Sequence, residues 1–131
     1  MNNQKISDSD VALEQEIQSK GLTAPRVTPQ QIEDVIDGEY YFTAEHGVMY
    51  NFGNQDEFTR LVGYHDSLKC LTFCVLHLKN GFTVTGESAC ASPENFDAEI
   101  GRKIARENAV NKVWMLEGYL LKQRLSEAKQ S

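Results

Sequence analysis

The most regular alternation of apolar and polar side chains lies in the middle of the chain and predicts a β-hairpin over about residues 71–88. Its two halves are separated by Asn80-Gly81, a pair that a type I′ turn prefers because both of its central residues take a positive φ. A two-residue turn of this kind places Lys79 opposite Phe82. Because an isolated hairpin is unstable in water, we expect helices or a second chain to cover it.

The predicted register gives the hairpin two different faces. One of these faces is apolar on one strand and polar on its partner. Such a mixed surface suits a sheet that is partly covered by helices and partly open to a ligand or a subunit. The other face carries Phe73, Val75, His77, Phe82 and Val84.

Two helical patterns flank the hairpin. Thr28-Pro29 begins the first, since threonine is a good N-cap and proline fits the first helical position, and this helix ends near Gly38 or runs into the aromatic residues beyond it. Ser92-Pro93 begins the second helix in the same way. Its apolar pattern continues to about residue 125, a length that favours two successive helices over one rod. The predicted buried stripe at its start consists of Phe96, Ile100 and Ile104.

These elements define an α+β fold, with a small antiparallel sheet around the type I′ hairpin at about 71–88 packed by C-terminal helices over about 93–125. The single domain spans residues 28–131. Residues 1–27 are mostly polar and predict a mobile or weakly helical tail. Residues 44–68 lose all periodicity around scattered glycine and asparagine, which predicts an irregular acidic insertion.

Length and charge narrow the possible functions. The chain has 131 residues, enough for one domain, and 13 Lys and Arg against 19 Asp and Glu, a net charge of −6. Lys and Arg form no dense stripe of the kind that duplex nucleic acid requires. The chain has no run of eighteen apolar residues and no secretory leader, so we expect a cytoplasmic protein without a membrane partner.

Candidate catalytic and metal-binding chemistry is sparse. The sequence has no nucleophile elbow, phosphate-binding loop, dinucleotide fingerprint or zinc-protease motif. Cys70 and Cys74 would be roughly 13 Å apart along a strand, too far to share a metal ion, so we expect buried thiols, no metal and no cofactor. His77 and Glu87 lie on opposite faces in the predicted register. We therefore assign no catalytic residue and expect a protein that is not an enzyme.

A polar stripe on the second helix is the strongest candidate for a ligand site. Arg102 and Arg106 are i, i+4 neighbours, and two guanidinium groups can hold a phosphate or a diphosphate. An aromatic ring on the hairpin can stack on a base. The alternative is a solvated helix face on which the cations pair with Glu99. The predicted ligand-binding residues are Phe82, Asn95, Arg102, Lys103 and Arg106.

The last part of the chain is apolar on nearly every side of its predicted helix. A helix of this kind in a water-soluble protein needs to be buried, either in its own core or against another chain. We therefore expect a homo-oligomer. Its predicted interface consists of Trp114, Tyr119, Leu120 and Leu121.

Three stretches of the hairpin and the second helix carry a family resemblance, namely Phe73–Cys90, Asn95–Trp114 and Leu116–Leu121. Together they resemble the "gene 49 / gene 66" family of small accessory proteins of tailed phages and prophages. This resemblance implies an accessory protein of the host cytoplasm. It also implies kinship with the anti-Thoeris sponge proteins, which capture cyclic ADP-ribose-type immune signals as oligomers without degrading them. Met115 stands where the family often has proline. The resemblance covers residues 70–125 and, more loosely, Arg26–Thr43, and it does not cover residues 1–25 or 44–68.

Three functions remain open from the sequence. The first, favoured by the resemblance, is to sequester a small anionic nucleotide-type signal of the cyclic ADP-ribose class and so counter host defence. The second is a protein-binding inhibitor of a host factor, because residues 28–68 hold one basic and eight acidic residues and suit a basic partner. The third is a small nucleotide hydrolase that uses Glu87, His77 or Glu99 as acid–base groups.

Overall fold

Three antiparallel strands form one sheet, and a single long helix crosses one face of it. The computed structural model describes residues 6–51 and 63–130. The strands lie in the order β1-β2-β3, so each strand is the neighbour of the next one along the chain. This arrangement confirms the predicted α+β class. The helices and strands are α1 (Asp8–Ser19), α2 (Pro29–Val35), β1 (Ile36–Thr43), α3 (Ala44–Tyr50), β2 (Leu71–Leu78), β3 (Thr83–Ala89) and α4 (Ala98–Gln130), with 3-10 turns at Asp66–Cys70 and Pro93–Asn95.

Helix α2 begins as its sequence predicts, but it is followed by a strand. The Thr28 hydroxyl accepts a hydrogen bond from the backbone N–H of Gln31 at 3.1 Å, and Pro29 occupies the first helical position. The helix stops before Gly38 because the chain turns into β1, which pairs with β2 along its whole length. Of the two alternatives, the end near Gly38 agrees with the structure, and continuation into the aromatic residues was wrong, since pairing with β2 overrides the local pattern.

The hairpin between β2 and β3 exists, but its turn is not of type I′. Leu78 donates its N–H to the carbonyl of Phe82 at 2.8 Å, so the loop contains three residues, Lys79, Asn80 and Gly81. Gly81 has a φ of +91°, whereas Asn80 is not among the residues with positive φ. A type I′ turn needs positive φ at both central positions, and a three-residue loop needs it at its last position alone. The predicted turn and register were therefore wrong by one residue.

This one-residue difference removes the mixed face. Leu76 lies opposite Val84 and Cys74 lies opposite Gly86. Alternate residues of β2 are buried from Thr72 onward, and Val84 and Gly86 are buried beside them. Because side chains alternate between faces, a shift of one residue moves Val84 from the outer face to the core. The helix therefore covers an apolar face on both strands.

Helix α4 is one continuous helix of 33 residues and begins later than predicted. The Asp97 carboxylate accepts the N–H of Ile100 at 3.0 Å, as an N-cap does. Ser92-Pro93 begins only a short 3-10 turn, which ends in an extended residue, Phe96. The expectation of two successive helices was wrong, since the helix continues through Gly118 without a break.

Small residues on α4 face the sheet. Ile100 is 56% exposed and Ile104 is 46% exposed, so the predicted buried stripe was wrong. The buried face of the helix is shifted by one residue from the predicted one, because the helix backbone lies too close to the strands for large side chains. The buried residues of α4 are Gly101, Ala105, Ala109 and Val113.

The closest approach of helix and sheet is at Gly86. A Cβ atom built there would lie 2.2 Å from the carbonyl oxygen of Ala105 and 2.3 Å from the nitrogen of Ala109. Both atoms belong to the backbone and cannot move aside as a flexible side chain could. Glycine is therefore the residue that lets α4 pack on β3 at this distance.

An ion pair connects the N-terminal helix α1 to the segment that follows it. Its N-cap is Ser7, whose side chain accepts the N–H of Asp10 at 3.1 Å. Glu14 on α1 receives a hydrogen bond from Arg26 at 2.7 Å, and no residue of α1 is buried. The predicted mobility of residues 1–27 stays a prediction, as the described part of this segment is helical over 8–19.

The predicted insertion at 44–68 is described only at its two ends. It begins with α3, where Thr43 and His46 form a capping box, and it ends in the 3-10 turn before β2. Residues 52–62 lie outside the described residues. Across the described ranges, none of the helices combines the length and the apolar character that crossing a membrane requires.

Replacing Gly86 with alanine should destabilise the protein by about 2 kcal/mol or more, because the added methyl group forces α4 away from the sheet. The matched control is Gly118→Ala, whose methyl group would meet no atom within 4 Å and should stabilise the helix by up to about 1 kcal/mol. Urea denaturation followed by circular dichroism measures both changes. Equal stability of Gly86→Ala and the parent would contradict the close packing.

Acid should weaken the attachment of α1. The hydrogen bond from Arg26 lowers the pKa of Glu14 below its ordinary value of 4.5. A carboxyl group whose pKa is lowered by folding stabilises the fold above its unfolded pKa and loses this effect as the pH falls through the folded pKa. The melting temperatures of the parent and of Glu14→Gln should therefore differ at pH 7 and converge as the pH falls below the lowered pKa of Glu14. A constant difference over this range would exclude the ion pair as the cause.

Candidate functional site

A cavity of about 700 Å³ lies between α2, β1 and α4, with the start of α1 along its rim. It combines apolar walls with several charged groups and with the indole of Trp114. A volume of this size lies within the usual range for small-molecule sites. The residues lining it are Ile6, Ser7, Ser9, Asp10, Pro29, Ile32, Glu33, Glu39, Tyr41, Lys103, Arg106, Glu107, Val110, Asn111 and Trp114.

Arg106 is the central charge of this cavity. Its guanidinium donates to Glu33 of α2 at 2.7 Å and to Glu39 of β1 at 2.8 Å. Its side chain is only 16% exposed. Burial opposes the charged form, but the hydrogen bonds and charges of the two carboxylates outweigh burial and raise the pKa of Arg106 above its ordinary value. The arginine is therefore permanently charged and ties three elements together.

Tyr41 extends the same network. Its hydroxyl lies 3.4 Å from the second carboxylate oxygen of Glu39, at the limit of a hydrogen bond. Burial, followed by the neighbouring Cys74 and Glu39, raises the pKa of Tyr41 well above its ordinary value of 10. The phenol is therefore neutral at physiological pH and serves as a hydrogen-bond donor on the cavity wall.

The charges of the cavity walls are predominantly acidic. Four carboxylates, from Asp10, Glu33, Glu39 and Glu107, accompany two cations. Arg106 is engaged by two of these carboxylates. Lys103 is exposed and lies 3.6 Å from the Glu99 carboxylate, an ion pair that water screens and that contributes little. A phosphate would therefore meet its most accessible cation at Lys103.

The structure brings together two of the five predicted ligand-binding residues. Lys103 and Arg106 line the cavity, whereas Arg102 is exposed on another side of α4. Phe82 lies at the hairpin end of β3, whereas Asn95 lies in the 3-10 turn that follows the other end of this strand, and neither residue lines the cavity. The five residues therefore do not form one site.

Several cavity residues were not predicted. Glu39 and Tyr41 were missed because β1 was not recognised as a strand. Glu33 and Asn111 lie on α2 and α4, and they were missed because the pattern of one helix does not show which other element its polar residues face. The signal that would have found two of them is the alternation within Ile36–Thr43, where Glu39 and Tyr41 share one face.

The predicted oligomer residues differ in exposure. Trp114 packs against the core and lines the cavity. Tyr119 is 73% exposed, Leu120 is also exposed and Leu121 is half-buried. Trp114 therefore has a role within the chain, while oligomerisation through the other three residues stays a prediction.

The acid–base groups weighed in the sequence are also separated. His77 Nδ1 lies 2.6 Å from the Asp37 carboxylate on the sheet face that α4 does not cover. In the observed register Glu87 shares this face, so the expectation that the two residues face opposite ways was wrong. His77 pairs with Thr83, four residues from Glu87 on β3, which places the two groups roughly 13 Å apart.

Three antiparallel strands beneath one long helix, with a charged cavity at their side, define this protein as a small α+β protein. Residues 27–125 match the model of the family described as Phage protein (N4 Gp49/phage Sf6 gene 66), and the chain belongs to this family. The family resemblance is thereby confirmed, while the anti-Thoeris link stays a prediction. Neither a curated protein nor a solved structure matches the chain. The matched region includes all cavity residues except those at the start of α1.

Arg106→Met should lower the free energy of unfolding by about 3 kcal/mol, because it leaves two largely buried carboxylates without their counter-charge. The matched control is Arg102→Met on the exposed side of the same helix, which should change stability by less than about 0.5 kcal/mol. Adding Glu33→Gln and Glu39→Gln to Arg106→Met should restore part of the loss. Equal losses for the two single variants, measured by urea denaturation, would contradict the network.

Proposed function

We propose that this protein is a non-enzymatic accessory protein that acts in the host cytoplasm and counters host defence by sequestering a small nucleotide-type signal. The ligand occupies the Arg106 cavity and belongs to the cyclic ADP-ribose class. The observation that carries this proposal is the cavity itself, whose volume of about 700 Å³ lies within the usual range for small-molecule sites. Eleven of the fifteen residues that line it belong to the region that matches the family.

The chemistry of the walls suits the parts of a nucleotide. The indole of Trp114 offers a flat apolar surface for a base, and base stacking on an aromatic ring contributes about 1–3 kcal/mol. Glu33 and Glu39 are acceptors for ribose hydroxyl groups, as acidic residues are in dinucleotide sites. The Tyr41 hydroxyl and the Asn111 amide add neutral hydrogen-bonding groups.

The acidic character of the cavity determines which way the ligand lies. Phosphates avoid Glu33 and Glu39 and lie toward Lys103, on the exposed part of α4. Arg106 holds the two carboxylates in place and stabilises the negative charge around it. The base and ribose therefore lie inside, and the phosphates lie at the edge of the cavity.

A protein-binding inhibitor is the second candidate, and the structure favours it less. Two of the eight acidic residues in 28–68, Glu33 and Glu39, face Arg106 and are largely buried. These residues are therefore unavailable for an acidic surface that docks on a basic partner.

Isothermal titration calorimetry with cyclic ADP-ribose and linear ADP-ribose tests the proposal. Lys103→Ala should weaken binding by about tenfold or more, since it removes a charge-assisted hydrogen bond to phosphate. The matched controls are Arg102→Ala and Phe82→Ala, which lie outside the cavity and should change Kd by less than twofold. Absence of binding by the parent protein to both compounds would reject the proposed ligand class.

Mass spectrometry of the bound compound tests the non-enzymatic part. Denaturing the complex after prolonged incubation should release the ligand with its mass unchanged. Hydrolysed products would instead support the nucleotide hydrolase. In the calorimetric titrations, a loss of binding in Arg102→Ala or Phe82→Ala that equals the loss in Lys103→Ala would contradict the cavity as the binding site.

A further inference from the structure

We propose that Cys70 and Cys90 form a reversible intramolecular disulfide bond when the protein is exposed to hydrogen peroxide. The two cysteines lie at the end of the sheet farthest from the hairpin turn. Cys70 ends the 3-10 turn that leads into β2, and Cys90 follows the last residue of β3. This site is independent of the Arg106 cavity and of the proposed ligand.

The backbone places the two residues directly opposite each other. Leu71 pairs with Ala89, so the next pair outward consists of the two cysteines. The N–H of Cys90 donates to the carbonyl of Cys70 at 3.1 Å, which continues the hydrogen-bonded ladder by one step. Opposed residues of such a pair have Cα atoms about 5.5 Å apart, within the range of about 4.4–6.8 Å that disulfides span. Their side chains also point to the same side of the sheet.

The third cysteine is not a competing partner. Cys74 is completely buried under α4 and lies opposite Gly86. It is four residues from Cys70 along an extended chain, roughly 13 Å away. Within residues 6–51 and 63–130, the structure places no group of three or more His, Cys, Asp or Glu side chains that could hold a metal ion.

The exposure of the two thiols determines which of them is oxidised first. Cys90 is half-buried, and its thiol donates a hydrogen bond to the carbonyl of Ser92 at 3.2 Å, whereas Cys70 is fully buried. Burial raises the pKa of Cys70, with the neighbouring Cys90 adding to the effect. The more accessible Cys90 therefore reacts first, because oxidation of a thiol follows its exposure.

The chemistry balances with hydrogen peroxide as the oxidant. The Cys90 thiol releases its proton, the thiolate attacks one peroxide oxygen, and the O–O bond breaks to give a sulfenic acid and hydroxide. The hydroxide takes up the released proton and becomes one water molecule. The Cys70 thiol then attacks the Cys90 sulfur, the S–O bond breaks, and the hydroxyl group leaves as a second water molecule after taking up the thiol proton. Two thiols are oxidised to one disulfide while one hydrogen peroxide is reduced to two water molecules.

The backbone also implies that the bond is easily reduced. Facing Cβ atoms in a hydrogen-bonded pair are about 5.5 Å apart, wider than the spacing of about 3.8 Å that a relaxed disulfide prefers. Closing this gap strains the bond, and strained disulfides are the readily reduced ones. The bond also closes the whole hairpin into a loop, which restricts the unfolded chain and favours the folded state.

Peptide mapping of the oxidised full-length protein tests the linkage. After treatment with stoichiometric hydrogen peroxide, the intact mass should fall by that of two hydrogen atoms, and a digest without reductant should contain a peptide that links Cys70 to Cys90. Cys74→Ser should give the same linkage, whereas Cys90→Ser should give none. A link to Cys74, a link between two chains, or oxygen addition without any link would overturn the proposal.

Thermal melting supplies a second measurement that does not depend on mapping. The oxidised parent should melt about 5 °C or more above the reduced parent, and dithiothreitol should reverse the change. Cys70→Ser should melt at the same temperature with and without peroxide. A melting temperature that does not change on oxidation of the parent would overturn the proposed link.

Discussion

The structure depends on how closely the backbone of α4 approaches β3 at Gly86. Because two backbone atoms of the helix occupy the space of a missing side chain there, the helix can present only small residues to that part of the sheet. Ala105 and Ala109 meet this requirement, and the larger Ile100 and Ile104 are turned outward. The rotation that buries Ala105 also directs Arg106 toward β1 and α2. The core packing therefore determines where the central charge of the cavity lies.

A charge in this position needs partners, because an unpaired guanidinium in a largely buried site is strongly unfavourable. Glu33 and Glu39 supply them from two different elements, so one side chain of α4 attaches both the helix α2 and the edge strand β1. These partners lie 73 and 67 residues before Arg106 in the sequence. A helix-surface pattern cannot reveal such partners, which explains why Arg106 resembled a solvent-facing anion ligand in the sequence.

Local sequence signals predicted the fold correctly where each signal is compatible with only one local structure. The Thr28-Pro29 cap and the alternation on either side of Asn80-Gly81 located α2 and the hairpin correctly. The turn itself was not predictable, because Asn-Gly suits both a two-residue and a three-residue loop and only the burial of Val84 distinguishes them. The small-residue face of α4 was missed because it is defined by its partners in space rather than by its own periodicity. The strand β1 was missed because it follows α2 without a break, so that its short alternation competes with the helical pattern before it.

The second half of α4 raises a different physical question. Beyond Val113 no residue of the helix up to 130 is buried, yet Leu116, Tyr119 and Leu120 are apolar and exposed. Its helical state is explained by its composition, since Leu, Glu, Lys, Gln, Arg and Ala dominate this segment and all favour helix. Composition does not explain why large apolar side chains remain in water, because the helix would form equally well with polar residues there. Exposed apolar patches on otherwise polar surfaces mark interaction sites, which is the physical reason for expecting this part of the helix to meet another surface.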